Sequence, residues 1–164
     1  MQLNCNAPLN QQQKALLTCE AFWAFSLEHY KKSEVQQAAL ILQDKHNGNV
    51  NLAMLLIWLD SLEIRFSQLH LHTLKLALSP TDTLLFSYRA LRKKIKQTND
   101  RPLYQHALNF ELQLEKQQQA DLIDTLSRIE LLSVANNIDG LLYSYCCSLN
   151  AESLLFSLQI KKGS

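Results

Sequence analysis

The chain has 164 residues, 47% of them apolar, which is enough for one domain with a packed core and excludes a disordered polymer. Sixteen basic and fifteen acidic side chains leave a formal net charge of +1, so the chain lacks the strongly basic profile of a dedicated nucleic-acid binder. Three glycines and three prolines are too few for the turns of a sheet protein and point to long helices with few connections.

Residues 1–15 read as a flexible polar leader without the apolar stretch of a signal peptide. A first helix is expected over 18–31, with Trp23, Leu27 and Tyr30 at i, i+4, i+7 and Phe22 and Phe25 widening the apolar face. Ser33 fits an N-cap, with Gln36 completing a capping box. The helix that follows should bury Val35, Ala38, Ala39 and Leu42. It should end at His46-Asn47-Gly48, with Gly48 taking the left-handed conformation. Asn49 or Asn51 is then the cap of a third helix over 50–66, apolar on nearly every side through Leu59 and therefore central.

Residues 69–78 fit a helix through Leu71, Leu74 and Leu78, although their leucines partly alternate as in a strand; no partner strand is evident, so helix is preferred. Ser79-Pro80 should cap and start a new helix, with Asp82 in its first turn and a core stripe of Leu84, Tyr88, Leu91 and Ile95. Asn99-Asp100-Arg101-Pro102 marks another break. The next helix should bury Leu103, Ala107, Phe110 and Leu114. Over 115–121, where only Ala120 is apolar, it should either project past the core or sit on its rim, and the pattern resumes at Leu122, Leu126 and Ile129. Residues 131–148 read as a helix weakened by Gly140, and Asn150 as the cap of a short last helix carrying Leu154, Leu155 and Leu158. The expectation is an all-α fold: one compact domain over 16–164, of six to eight helices around the apolar helix at 50–66.

Two segments, FWAFSLEHY and VQQAALILQDKHNGNVNLAMLLIWL, carry a resemblance across roughly residues 22–59. They are similar to an uncharacterised proteobacterial family, a domain of unknown function, in which an aromatic FW.FSL..Y segment precedes LQD.HG.NVNL and a terminal WL. This chain reads His46-Asn47-Gly48 where the family reads His-Gly, so its turn is expected to be one residue longer. The resemblance implies an all-helical cytoplasmic protein and carries no catalytic residue with it.

Candidate sites fall in two places. Asp44, His46, Asn49 and Asn51, with Trp58 beyond them, form a polar corner or pocket. Asp44 and His46 are two apart and would point about 200° from each other on a helix. A helix–helix corner, whose orphan N–H and C=O groups need side-chain partners, is preferred over a ligand site. The second place is a basic face: Arg89, Arg92, Lys93 and Lys96 recur at i, i+3, i+4, i+7. Such a face reads first as a solvated surface whose cations also suit the C-terminal end of the helix dipole; as a binding surface it would meet RNA, DNA, anionic lipid or an acidic protein partner, or self-associate with the acidic stretch Glu111, Glu115, Asp121, Asp124 and Glu130. Nucleic acid is a weaker match, because little aromatic side chain is interleaved to stack bases.

Asp60 and Glu63 share a face at i, i+3 and read as the solvated edge of the central helix. No Glu-x-x-His pair, zinc spacing, P-loop or nucleophile elbow is present, so no metal or cofactor is expected. Cys5, Cys19, Cys146 and Cys147 read as reduced thiols, the last two inert in an apolar setting, and no apolar run reaches the ~20 residues that span a bilayer. The function indicated is a non-enzymatic cytoplasmic interaction or adaptor protein. The competing reading is a small-ligand binder or enzyme with its pocket at Asp44–Asn51 and Trp58.

Overall fold

The computed structural model describes residues 6–134 and 139–160. The fold is all-α, 75% helical, with eight α-helices among the described residues. It divides into two compact units: residues 1–68 with 129–164, and residues 69–128.

The first unit holds α1 (Gln11–Ala15), α2 (Cys19–Tyr30), α3 (Ser33–His46), α4 (Val50–Ser61), α7 (Leu141–Ser148) and α8 (Leu155–Leu158). A small antiparallel sheet joins them, in the order β1 (Asn6–Pro8), β3 (Leu132–Val134), β2 (Ile64–Arg65). Its register sets Ala7 and Ile64 on either side of Ser133. The expected leader is thus structured from Asn6 onward. Asn10 and Gln13 cap α1 reciprocally, and Gln13 Nε2 donates to Ser133 Oγ at 3.3 Å. Strands of two or three residues offer no period that a sequence reading can detect.

The centre of this unit is α4. Every residue from Asn51 to Leu59 is buried, and α2, α3, α7 and β2 pack around it. The helix ends at Ser61, short of the expected Phe66. Glu63 turns left-handed (φ 55°) and its carbonyl accepts from Val134 N at 2.9 Å. Ile64 and Phe66 are then both buried at a spacing of two, the period of a strand. In α2 the buried face is Phe22, Ser26 and His29, not Trp23, Leu27 and Tyr30; Leu27 is exposed. Thr18 caps α2 as its position suggests. In contrast, Lys32, not Ser33, occupies the N-cap position of α3 and makes no side-chain cap. Val35, Ala38, Ala39 and Leu42 are buried as expected.

Among the described residues, asparagine makes the left-handed turns apart from Glu63, and glycine makes none. Asn47 (φ 55°) closes α3, Asn150 (φ 52°) follows α7, and Asn99 (φ 58°) precedes α6. Asn150 is therefore not the cap of a last helix: Ala151 N reaches back to Cys146 O at 2.8 Å. Gly48 is needed for a different reason. Its N–H bonds Leu42 O at 2.9 Å, and a Cβ there would lie 2.5 Å from Leu42 Cγ. The helix expected over 131–148 begins only at Leu141, with Gly140 as its N-cap and β3 upstream; its residues 135–138, like Cys5, lie outside the described residues.

The second unit is an antiparallel hairpin of α5 (Gln68–Lys96) and α6 (Arg101–Leu126). The 69–78 segment is helical, as preferred, but the chain does not restart at Ser79. Pro80 sits inside α5, whose buried positions Leu71, Leu74, Leu78, Thr81 and Leu85 continue one 3.6-residue stripe across it. Leu76, whose carbonyl loses its i+4 partner at Pro80, is on the exposed side, open to water. Asp100 caps α6 by accepting from Leu103 N at 3.0 Å.

Two stability measurements test this account. Gly48→Val should lower the urea-unfolding free energy by more than about 1 kcal/mol through overpacking against Leu42, whereas Asn47→Gly should stay within about 0.5 kcal/mol. The reverse order would place the left-handed requirement at Gly48. The second concerns His29, whose Nε2–H donates to Leu158 O at 2.6 Å while Nδ1 faces Lys32 Nζ at 3.4 Å. Burial, then the Lys32 charge, push this histidine below its ordinary value of 6.5, against the pull of the Leu158 carbonyl. The neutral form is the folded form, so its contribution is complete above the unfolded value and is lost as pH falls below it toward the folded one. Between about pH 7.5 and pH 5.5 the wild type should lose more stability than His29→Gln; equal losses would remove the linkage.

Candidate functional site

The polar corner between α3 and α4 is built mostly from backbone. Asn49 Oδ1 accepts from Leu52 N at 2.8 Å and caps α4. The Asn49 N–H in turn donates to the buried Tyr145 hydroxyl at 2.9 Å. His46 Nδ1 donates to Leu149 O at 3.1 Å, tying the end of α3 to the end of α7. Asn51 is buried in the first turn of α4. Asp44, however, points to solvent and takes no place in the corner. Trp58 lies about two turns farther along α4, packed against Phe22 and Phe25 with ring centroids 5.4 and 6.4 Å apart. The five residues thus divide: His46, Asn49 and Asn51 sit at the corner, Asp44 outside it and Trp58 in the aromatic core.

A carboxylate the sequence placed at a solvated edge does more. Asp60 Oδ1 and Oδ2 accept from Leu141 N at 2.7 Å and Leu142 N at 3.1 Å, capping α7 from a distant point in the chain. Gly140 makes this possible, because a Cβ there would collide with the Asp60 carboxylate. Burial pushes the Asp60 carboxyl up; the two N–H groups and the Arg65 charge oppose that rise without cancelling it. Glu63 faces away as an exposed turn residue, so the two carboxylates do not work as a pair. The aspartate–glycine pairing has no signal in sequence, since 80 positions separate its members.

Cys146 is fully buried, and burial pushes its thiol up to about 11. That disfavours the reactive thiolate. Among the described residues, no group of three His, Cys, Asp or Glu side chains is placed to hold a metal ion.

The hairpin carries the largest departure from expectation. Its two long sides differ. On one, Arg89 pairs with Glu115 at 2.7 Å and Glu111 at 3.6 Å, and Arg92 Nε pairs with Glu111. The Tyr104 hydroxyl and Glu111 hold the Arg92 guanidinium in its charged form, against the cost of burial. Lys96 Nζ stands 6.0 Å over the Tyr104 ring. The basic face is therefore split. Arg89 and Arg92 are partly covered and satisfied by α6, while Lys93 and Lys96 are exposed. The charge contrast between 89–101 and the acidic stretch is used in part within the chain. Toward the base, Gln118 is buried and donates to Thr81 Oγ1 at 2.8 Å and Asp82 Oδ1 at 2.9 Å. Within 115–121, Gln118 and Gln119 are thus buried while Lys116 and Gln117 stay exposed, which puts the segment at the rim of the core.

The other side holds the residues expected to be core. Leu84, Tyr88, Leu91 and Ile95 form one stripe on α5, and Leu103, Ala107, Phe110 and Leu114 one on α6. The Tyr88–Phe110 ring contact, 5.0 Å between centroids, joins them on a single side. This side is open in part: Leu84 is 55% exposed, Leu91 49%, Leu103 48% and Phe110 49%, whereas Tyr88, Ile95 and Leu114 are half-buried and Ala107 is buried as expected.

The ionic side predicts a graded response to charge reversal. Arg89→Glu should cost about 1–2 kcal/mol in urea unfolding, and Lys93→Glu no more than about 0.5 kcal/mol. Adding Glu115→Arg to Arg89→Glu should recover most of that loss; no recovery would mean that Arg89 acts through packing and not through its ion pairs.

No curated relative and no solved structure matches the chain. A family model does, over residues 21–122 of the 164, a span running from α2 through most of α6. The chain belongs to the family described as "Protein of unknown function (DUF2390)".

Proposed function

We propose that this is a non-enzymatic interaction or adaptor protein of the proteobacterial cytoplasm, and that it binds a protein partner through the open side of the α5–α6 hairpin. One observation carries the reading. A continuous apolar strip, with the amphipathic spacing of a core face, is left about half exposed at Leu84, Leu91, Leu103 and Phe110. The strip presents on the order of 500 Å² of apolar surface, the size of patch that marks interaction sites on soluble proteins. Two adjacent helical stripes form a groove suited to a helical partner with apolar residues at i, i+3, i+4, i+7. The cytoplasmic assignment draws support from buried Cys146 beside free Cys147. Among the described residues, no helix is long and apolar enough to cross a membrane.

Photo-crosslinking in cells tests the reading. p-Benzoylphenylalanine at Leu91 should give a protein adduct that disappears when Phe110→Glu is added, with circular dichroism unchanged. The same probe at Lys93, on the ionic side, should give little. Equal adducts from both positions, adducts removed by nuclease, or none from Leu91 would overturn it.

A further inference from the structure

We propose that Asp139–Gly140, at the head of α7, is a site of spontaneous main-chain modification to isoaspartate, and that the fold holds the similar pair Asn47–Gly48 inert. Both pairs set a short acid or amide side chain directly before a glycine. The reaction uses atoms of those two residues alone. The Gly140 nitrogen loses its proton and attacks Asp139 Cγ. A C–N bond forms, the Cγ–O bond breaks, and the hydroxyl leaves as water with that proton. Water then opens the resulting succinimide. Addition at Cγ restores aspartate. Addition at the Asp139 main-chain carbonyl gives isoaspartate, whose chain runs through Cβ and Cγ. No oxidant or reductant is consumed.

A fold blocks this step by crowding the attacking nitrogen or by committing its N–H. At Asp139–Gly140 it does neither. Asp139 is exposed. The Asp60 carboxylate takes Leu141 N and Leu142 N, whereas the Gly140 N–H has no acceptor among the described residues. Glycine is also what the fold demands here, because a Cβ would collide with the Asp60 carboxylate. The cap of α7 therefore keeps at its head the residue that hinders the attack least.

Asn47–Gly48 is the opposite case. Its amide leaves as ammonia more readily than a carboxyl oxygen leaves as water, so it is the faster pair in an unfolded chain. In the fold, Gly48 is buried and its N–H donates to Leu42 O at 2.9 Å. The Leu42 side chain also fills the space beside the Gly48 Cα. That nitrogen is freed only when the end of α3 opens.

Isoaspartate inserts a methylene into the main chain just before the two amides that Asp60 caps, so it loosens the start of α7. It also leaves a free α-carboxylate on the branch, the group that S-adenosylmethionine-dependent isoaspartyl methyltransferases esterify. The full chain, held folded at neutral pH and physiological temperature for weeks, should become a methyl acceptor for such an enzyme, with the label in the peptide that contains Asp139. Asp139→Glu should abolish the label, because the longer side chain closes a larger ring far more slowly. Amide exchange at Leu141 and Leu142 should be faster in the aged wild type than in Asp139→Glu aged beside it. Asp139→Asn supplies an internal comparison, with Asn-Gly at both places. In the folded variant, ammonia loss at position 139 should outrun that at Asn47 at least about tenfold; in urea the two rates should converge. Equal or reversed rates in the folded chain would overturn the proposal, as would an aged wild type that accepts no methyl group at Asp139. The same gap in urea would assign the difference to neighbouring side chains and overturn the part given to the fold.

Discussion

The first unit is organised by one demand: a helix that is apolar on every side must be covered on every side. From Asn51 to Leu59 no residue of α4 reaches solvent, and the surrounding elements come from both ends of the chain. Helices α2 and α3 precede it, and α7 follows only after residues 69–128 have been spent on the hairpin. Burying seven large apolar side chains at about 1.5–3 kcal/mol each supplies the drive. It also explains why the chain must return to this unit after the hairpin, since α4 without α7 would leave one of its sides in water.

Covering a helix so completely brings polar termini into the interior, and the first unit meets that with long-range capping. Asp60 serves the N-terminus of α7, the Tyr145 hydroxyl takes the Asn49 N–H, and His46 serves Leu149 at the end of α7. Each bond joins α3 or α4 to the region around α7, so the same contacts that satisfy orphan backbone groups also fix how these helices meet. The polar residues of the opening motif are explained by this geometry. They are placed where helix ends converge, and their partners are backbone atoms.

The hairpin follows different rules. Its base is held by leucines and isoleucine, while its outer half is held by ion pairs and one aromatic contact. A buried polar group such as Gln118, bonded to Thr81 and Asp82, costs more in a shifted register than in the native one. Arg89 and Arg92 reading Glu111 and Glu115 act in the same sense. Register is therefore specified largely by polar groups, and on the apolar side the Tyr88–Phe110 contact joins the two helices while Leu84, Leu91 and Leu103 stay exposed. That division leaves an amphipathic face available for another molecule.

By itself the sequence determined the helical class, the central place of α4, the buried face of α3 and the breaks near residues 47 and 100. These depend on local periodicity and capping chemistry, which a short window contains. Family membership was legible for the same reason, in the dense segment around Trp23 and Trp58. Tertiary structure alone decided the rest. Whether Pro80 ends a helix depends on whether the apolar stripe continues beyond it, and here it does. Whether Asp60 is a surface charge or a cap depends on Gly140, far away in sequence. Whether Leu84, Leu91, Leu103 and Phe110 are core depends on what lies opposite them. Periodicity shows that a face is apolar, but it does not show what covers that face, because cover is a property of the folded neighbours and not of the segment.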